Sequence, residues 1–134
     1  MKVLLVGGAG YIGSVVSKYL SSKEDMKITV IDDFIYNDQN FSNYDYPKKI
    51  NIIKNNFESF FDDDKLDYDI IVFFAGLVGD PITKKYPEVA QQINYDGVKN
   101  LIINCEKKQD GKIIFVSTCS NYGLSETNDL LDEN

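Results

Sequence analysis

Three glycines at three-residue spacing, Gly7, Gly10 and Gly13, carry the most specific chemistry in the chain, with Gly8 offering the alternative Gly8-x-Gly10-x-x-Gly13. A turn of this kind lets the backbone come close to a bulky anion, because no side chain stands in the path. A pyrophosphate held by backbone N–H groups and by the positive end of a following helix is the chemistry such a turn supports. Gly13, the third glycine, allows that helix to pack against the strand before it. About 20 residues on, Asp32 puts a carboxylate where a dinucleotide fingerprint needs an acid for the ribose hydroxyls. A carboxylate there accepts from a free 2′-hydroxyl and repels a 2′-phosphate. No lysine or arginine adjoins Asp32 in sequence, so NAD is favoured over NADP. Asp33 either shares that role or opens a polar loop.

These residues need elements to position them, and the pattern supplies them. Lys2–Val6 is apolar and β-branched, as a buried parallel strand is. After the glycines, Ile12, Val15, Val16, Tyr19 and Leu20 recur at helical spacing and predict an amphipathic helix that buries this face. Lys27–Ile31 reads as the second strand and Ile50–Lys54 as the third. Asn56–Lys65 is polar and acidic, a loop with a short helix, and Asp69–Phe74 is a fourth buried strand. Val78-Gly79-Asp80-Pro81 is either a polar turn or a segment facing substrate. From Pro87, suited to a first helical turn, Ile93, Val98, Leu101, Ile102 and Cys105 draw one helical face, closed by Lys107, Lys108 and Gly111. Lys112–Ser117 is the fifth strand. Strands alternating with helices predict an α/β fold: a doubly wound, Rossmann-like parallel sheet of about five strands, order 3-2-1-4-5.

Composition narrows the function classes. At 134 residues and 43% apolar, the chain is expected to form one domain with a sizeable core. A net charge of −7 without a basic cluster argues against nucleic acid and anionic membrane surfaces as partners. The opening apolar run is too short for a signal peptide or a membrane span. With no histidine, a Ser-His-Asp triad and a histidine-based metal site are excluded, and no metal is expected. Cys105 and Cys119 form no CxxC pair, which suits a reduced, cytoplasmic setting.

Five segments in order resemble the NAD-dependent sugar-nucleotide epimerase/dehydratase branch of the extended short-chain dehydrogenases, the family typified by UDP-galactose 4-epimerase. They are GGAGYIG (7–13), IDDF (31–34), FAGL (74–77), INYDG (93–97) and STCSNYG (117–123). The resemblance implies NAD as cofactor and a nucleotide sugar as substrate of the parent enzyme. It implies that Gly7, Gly10, Gly13 and the backbone N–H groups of Tyr11 and Ile12 meet the pyrophosphate. Asp32, with Asp33 and Phe34, would hold the adenosine ribose, and Asn56 and Phe57 occupy the adenine position, where aspartate is usual in place of Asn56. Phe74, Ala75, Gly76 and Leu77 would run beside the cofactor, with Asn94 and Ser117 completing its site. Thr118 aligns with the catalytic hydroxyl that bonds the reacting substrate oxygen; read by itself, it is a threonine closing a strand.

One departure bears on activity. The family's base is a tyrosine followed four residues later by lysine, whereas the tyrosine after the fifth strand here is Tyr122, with Glu126 four beyond it. The resemblance therefore implies an incomplete NAD-binding domain, residues 1–134, without the catalytic helix, the later strands and the sugar-binding domain. As a fragment or a natural truncation, the chain is expected to be inactive alone and to self-associate or need its missing half. The alternative from another class is a non-catalytic dinucleotide-binding or regulatory module of the same fold.

Overall fold

The computed structural model describes residues 1–35, 50–56, 67–108 and 111–118. Phe57, the short helix expected before Lys65, Cys119, Tyr122 and Glu126 lie outside the described residues, as does the side chain of Cys105.

Strand β1 (Lys2–Val6) leads through the glycine turn into helix α1 (Tyr11–Ser21) and then β2 (Lys27–Asp32). Strands β3 (Asn51–Lys54) and β4 (Ile70–Phe73) follow, then helices α2 (Asp80–Lys85) and α3 (Pro87–Gln91). A π-helical stretch, Gln92–Gly97, joins α3 to α4 (Val98–Lys108), and β5 (Lys112–Phe115) closes the described part. The strands form one five-stranded sheet, order β3-β2-β1-β4-β5, every pairing parallel. All five expected strands are present, β1 with the expected bounds and the other four within one or two residues at their ends.

Strand β1 is central and buried on both faces, which is why its sequence is apolar throughout and not alternating. Successive side chains still point to opposite faces. Leu4 and Val6 join Ile31, Ile71, Phe73 and Leu101 in one core cluster. Val3 and Leu5 join Ile28, Val30, Ile50 and Val72 in the other.

Helix α1 departs from the sequence pattern. The apolar stripe was expected to be its buried face, yet Ile12, Val15 and Tyr19 are exposed, and Val16 and Leu20 are only partly covered. The buried positions are Gly13, Ser14, Ser17 and Ser21. Close approach explains the inversion. A Cβ at Gly13 would lie 2.3 Å from the Gly7 carbonyl oxygen and 2.7 Å from the Gly8 Cα, so the helix seats against the turn without room for large side chains. Serine fits because its hydroxyl finds a local acceptor: Ser17 Oγ donates to Gly8 O at 2.9 Å and Ser21 Oγ to Lys18 O at 2.8 Å.

The long helix differs twice from expectation. Of the segment Val78–Pro81, Gly79 is the N-cap residue of α2, and Asp80 and Pro81 are its first two residues. On α4 Leu101 is buried, but Ile102, expected on the same face, is exposed.

Candidate functional site

The site forms where the sheet order reverses. Chain leaving β1 turns toward β2 on one side, while β4 lies on the other, so a crevice opens at the strands' carboxyl ends. It is a cavity of about 780 Å³, within the range of small-molecule and cofactor pockets.

The floor is the glycine turn. Gly7 holds φ +75°, and a Cβ there would sit 2.6 Å from the Ala75 nitrogen, so the turn lies directly against the loop after β4. Gly10 differs: a Cβ there would meet only Gly7 O, at 3.3 Å, and the remaining space is cavity. Gly10 is also the N-cap residue of the 11-residue helix α1 and makes no side-chain cap. The N–H groups of Tyr11 and Ile12 belong to the first turn, where an α-helix offers them no internal partner, and both residues line the cavity.

Asp32 stands at the end of β2. Its Oδ2 accepts from the Ala9 N–H and its Oδ1 from the Phe34 N–H, both at 2.9 Å. Burial raises its pKa above the ordinary carboxylate value; backbone hydrogen bonds from Phe34, Ala9 and Gly10 oppose that shift, and the Asp33 charge adds to it. Asp33 lines the cavity too, and its Oδ1 accepts from the Ile35 N–H at 3.3 Å. Phe34 adopts a left-handed φ of 60°, the strained conformation that such sites often hold. The register of β2 and β3 sets Lys54 opposite Asp32, and the Lys54 ammonium lies 5.6 Å from the Phe34 ring centroid. A cation thus approaches this corner although none adjoins Asp32 in sequence.

Phe74, Ala75, Gly76 and Leu77 form the opposite wall. The Phe74 and Ala75 N–H groups both donate to Val6 O, which ties the loop to the end of β1. Asn94 lines the cavity while its amide is taken up by the Leu77 backbone. Ser117 and Thr118 reach the same space from the end of β5.

Thus Gly7, Gly10, Tyr11, Ile12, Gly13, Asp32, Asp33, Phe34, Phe74, Ala75, Gly76, Leu77, Asn94, Ser117 and Thr118 line one cavity. At the expected adenine position Asn55 lines it, one residue before Asn56, and Phe57 is outside the described residues. Sequence reasoning passed over Ile31, Ile93, Val98 and Phe115, whose apolar character marked them only as core.

The crevice fits a dinucleotide: a cradle that a side chain at Gly10 would fill, unpaired N–H groups at a helix start, and a carboxylate on one flank. Comparison with known proteins gives the same direction. Residues 3–134 match the NAD dependent epimerase/dehydratase family. The chain is 31% identical over 139 residues to a dTDP-D-glucose 4,6-dehydratase of Dictyostelium discoideum, covering 96% of this chain but 32% of that protein. Among solved structures it resembles a UDP-N-acetylglucosamine 4-epimerase of Methanobrevibacter ruminantium M1 (28% identity, TM-score 0.78, 98% of this chain and 42% of that one). It also resembles the UDP-Glc/GlcNAc 4-epimerase of Campylobacter jejuni (25% identity, TM-score 0.77, 94% and 40%).

Proposed function

The chain belongs to the NAD dependent epimerase/dehydratase family, and on that footing we propose that it is the NAD-binding part of an enzyme acting on a nucleotide sugar. One observation carries the reading. The Ala9 N–H of the glycine turn donates to Asp32 at 2.9 Å, so a hydrogen bond joins a pyrophosphate cradle to a ribose acid. The distance between the two is thereby fixed before any ligand arrives.

In this reading the Tyr11 and Ile12 N–H groups and the start of α1 bind the pyrophosphate. Asp32, with Asp33 and Phe34 beside it, orients the adenosine ribose, and Asn55 and Asn56 border the adenine. Phe74–Leu77 and Asn94 form the wall for the other nucleoside. NAD, when bound, would supply a hydride acceptor for the carbon that bears a sugar hydroxyl, the hydroxyl proton going to a base. Thr118 donates or accepts a hydrogen bond at the reacting sugar oxygen, with Ser117 bordering the cofactor. General-base help is typically worth about 10²–10⁴ in rate. The 134 residues contain no Tyr-x-x-x-Lys after Thr118 to supply it. The proposal for the isolated chain is therefore binding without turnover, dTDP- and UDP-sugars being the substrates of the whole enzyme.

Calorimetric titration with NAD(H) and NADP(H) tests the reading. NAD(H) should bind more tightly, because the Asp32 carboxylate would face the 2′-phosphate, with the Lys54 ammonium at the same corner lessening the difference. Gly10→Val should abolish binding of both while leaving the circular dichroism spectrum intact. Equal or tighter NADP(H) binding would overturn the assignment of Asp32, and normal NAD binding by Gly10→Val would overturn the placement over this turn.

A further inference from the structure

The corner of the cavity at the end of β2 is acidic. Asp32 and Asp33 line it, and among the described residues none that lines the cavity is basic. Lys54 stands beside this corner, brought there by strand register. Strand β3 runs parallel to β2 and sets Lys54 opposite Asp32. The Asn55 N–H, one residue on, donates to Asp32 O at 3.1 Å and holds the two strand ends together.

Alternation along the strand fixes the direction of the lysine side chain. Ile53 packs against the Leu4 cluster on one face of the sheet, so Lys54 points to the other, where Phe34 packs against the Val3 cluster. There the Lys54 ammonium lies 5.6 Å from the Phe34 ring centroid, within cation–π range. Phe34 is itself tied to the acid, its N–H donating to Asp32 Oδ1 at 2.9 Å, and it lines the cavity. The ring thus holds a positive charge at the edge of an acidic corner.

A ribose with a free 2′-hydroxyl needs only an acceptor here, which Asp32 supplies. A 2′-phosphate brings about two negative charges to the same place. Asp32 and Asp33 repel them, whereas Lys54 attracts them. Lys54 is exposed, and its flexible stem lets the ammonium swing from the Phe34 ring toward an anion. We propose that Lys54 is a specificity-determining residue: it offsets part of the repulsion from Asp32, so that the site prefers the dinucleotide with a free 2′-hydroxyl without excluding the 2′-phosphorylated one. The inference rests on the dinucleotide reading above.

The readout is the ratio of NADP affinity to NAD affinity, from calorimetric titration at low salt. Lys54→Met keeps an unbranched apolar stem and removes the charge, and it should lower the ratio by about threefold, the size expected of an exposed ion pair. Lys54→Glu replaces attraction by repulsion and should lower it by about tenfold. Lys54→Arg, which keeps the charge, should preserve it. In about 1 M salt, where charges are screened beyond about 3 Å, the ratios of all four proteins should converge. An unchanged ratio in Lys54→Glu, equal losses for both cofactors, or a difference undiminished at high salt would each overturn the proposal. So would NAD binding by the unsubstituted chain with no detectable binding of NADP. If that chain binds neither cofactor, the dinucleotide reading itself fails. Should the variants not fold, NMR of the unsubstituted chain decides: the Lys54 Cε–H resonances should move further with NADP than with NAD, and equal shifts would refute the assignment.

Discussion

Hydrogen bonds from backbone N–H groups ought to make a carboxylate more acidic, yet burial outweighs them at Asp32 and its pKa is raised. The folded chain therefore holds a proton on Asp32 more readily than the unfolded chain does. In the window above the ordinary value of 3.8, the contribution of Asp32 to stability falls as pH rises, and it is restored on acidification. Ionising this carboxylate costs the fold stability, which is reasonable for a group whose work is to accept from a ligand. We expect Asp32→Asn to lose this segment of the pH dependence, read as the urea midpoint against pH for both proteins. The same variant should bind NAD about tenfold or more weakly, because hydrogen bonds to charged groups are among the stronger ones. Identical pH profiles would show that Asp32 ionises in the fold as it does in the open chain. Asp32 was legible in the sequence from its spacing to the glycines. Lys54 was not, because its approach depends on a strand register that places two residues 22 apart opposite each other.

At the scale of elements, the five strands and their order followed from apolar runs and alternation, with errors confined to the ends. Helix α1 was legible as a helix, but the face it buries was not. Periodicity finds the greasy side, and here close packing on the glycine turn selects the small side, Gly13, Ser14, Ser17 and Ser21. The signal that could have found it is the serine spacing after Gly13. Gly13→Ala makes the contest quantitative. Helix propensity alone favours alanine by about 1 kcal/mol. The added Cβ would stand 2.3 Å from Gly7 O and 2.7 Å from Gly8 Cα, both backbone atoms that cannot rotate away. We expect the clash to prevail, with a net loss of about 1–3 kcal/mol in urea unfolding. A stabilised Gly13→Ala would mean that the helix stands further from the turn than described. The π stretch also left a trace in the sequence, the five-residue gap between Ile93 and Val98, which an α-helical template absorbs without notice.

At the scale of the molecule, a parallel sheet buried by two apolar clusters presents its carboxyl ends to one crevice, and the residues of that crevice come from six separate segments. The chain spans 32% of the curated relative and about two-fifths of the structural relatives it matches, so the activity of a whole enzyme stays a proposal. Among the described strands, β5 pairs on one edge only, and Ile113, Ile114 and Phe115 are exposed along it. Such an edge is a template for further pairing. No helix among the described residues is long and apolar enough to cross a membrane. The central claim, that a dinucleotide lies across the glycine turn from Asp32 to the loop after β4, is tested most directly by amide chemical-shift mapping of the isotope-labelled chain on titration with NAD. The account predicts saturable shifts at Gly10, Tyr11, Ile12 and Phe34 on one side and at Ala75, Gly76 and Leu77 on the other. Shifts confined to one flank, or lying away from the glycine turn, would contradict it.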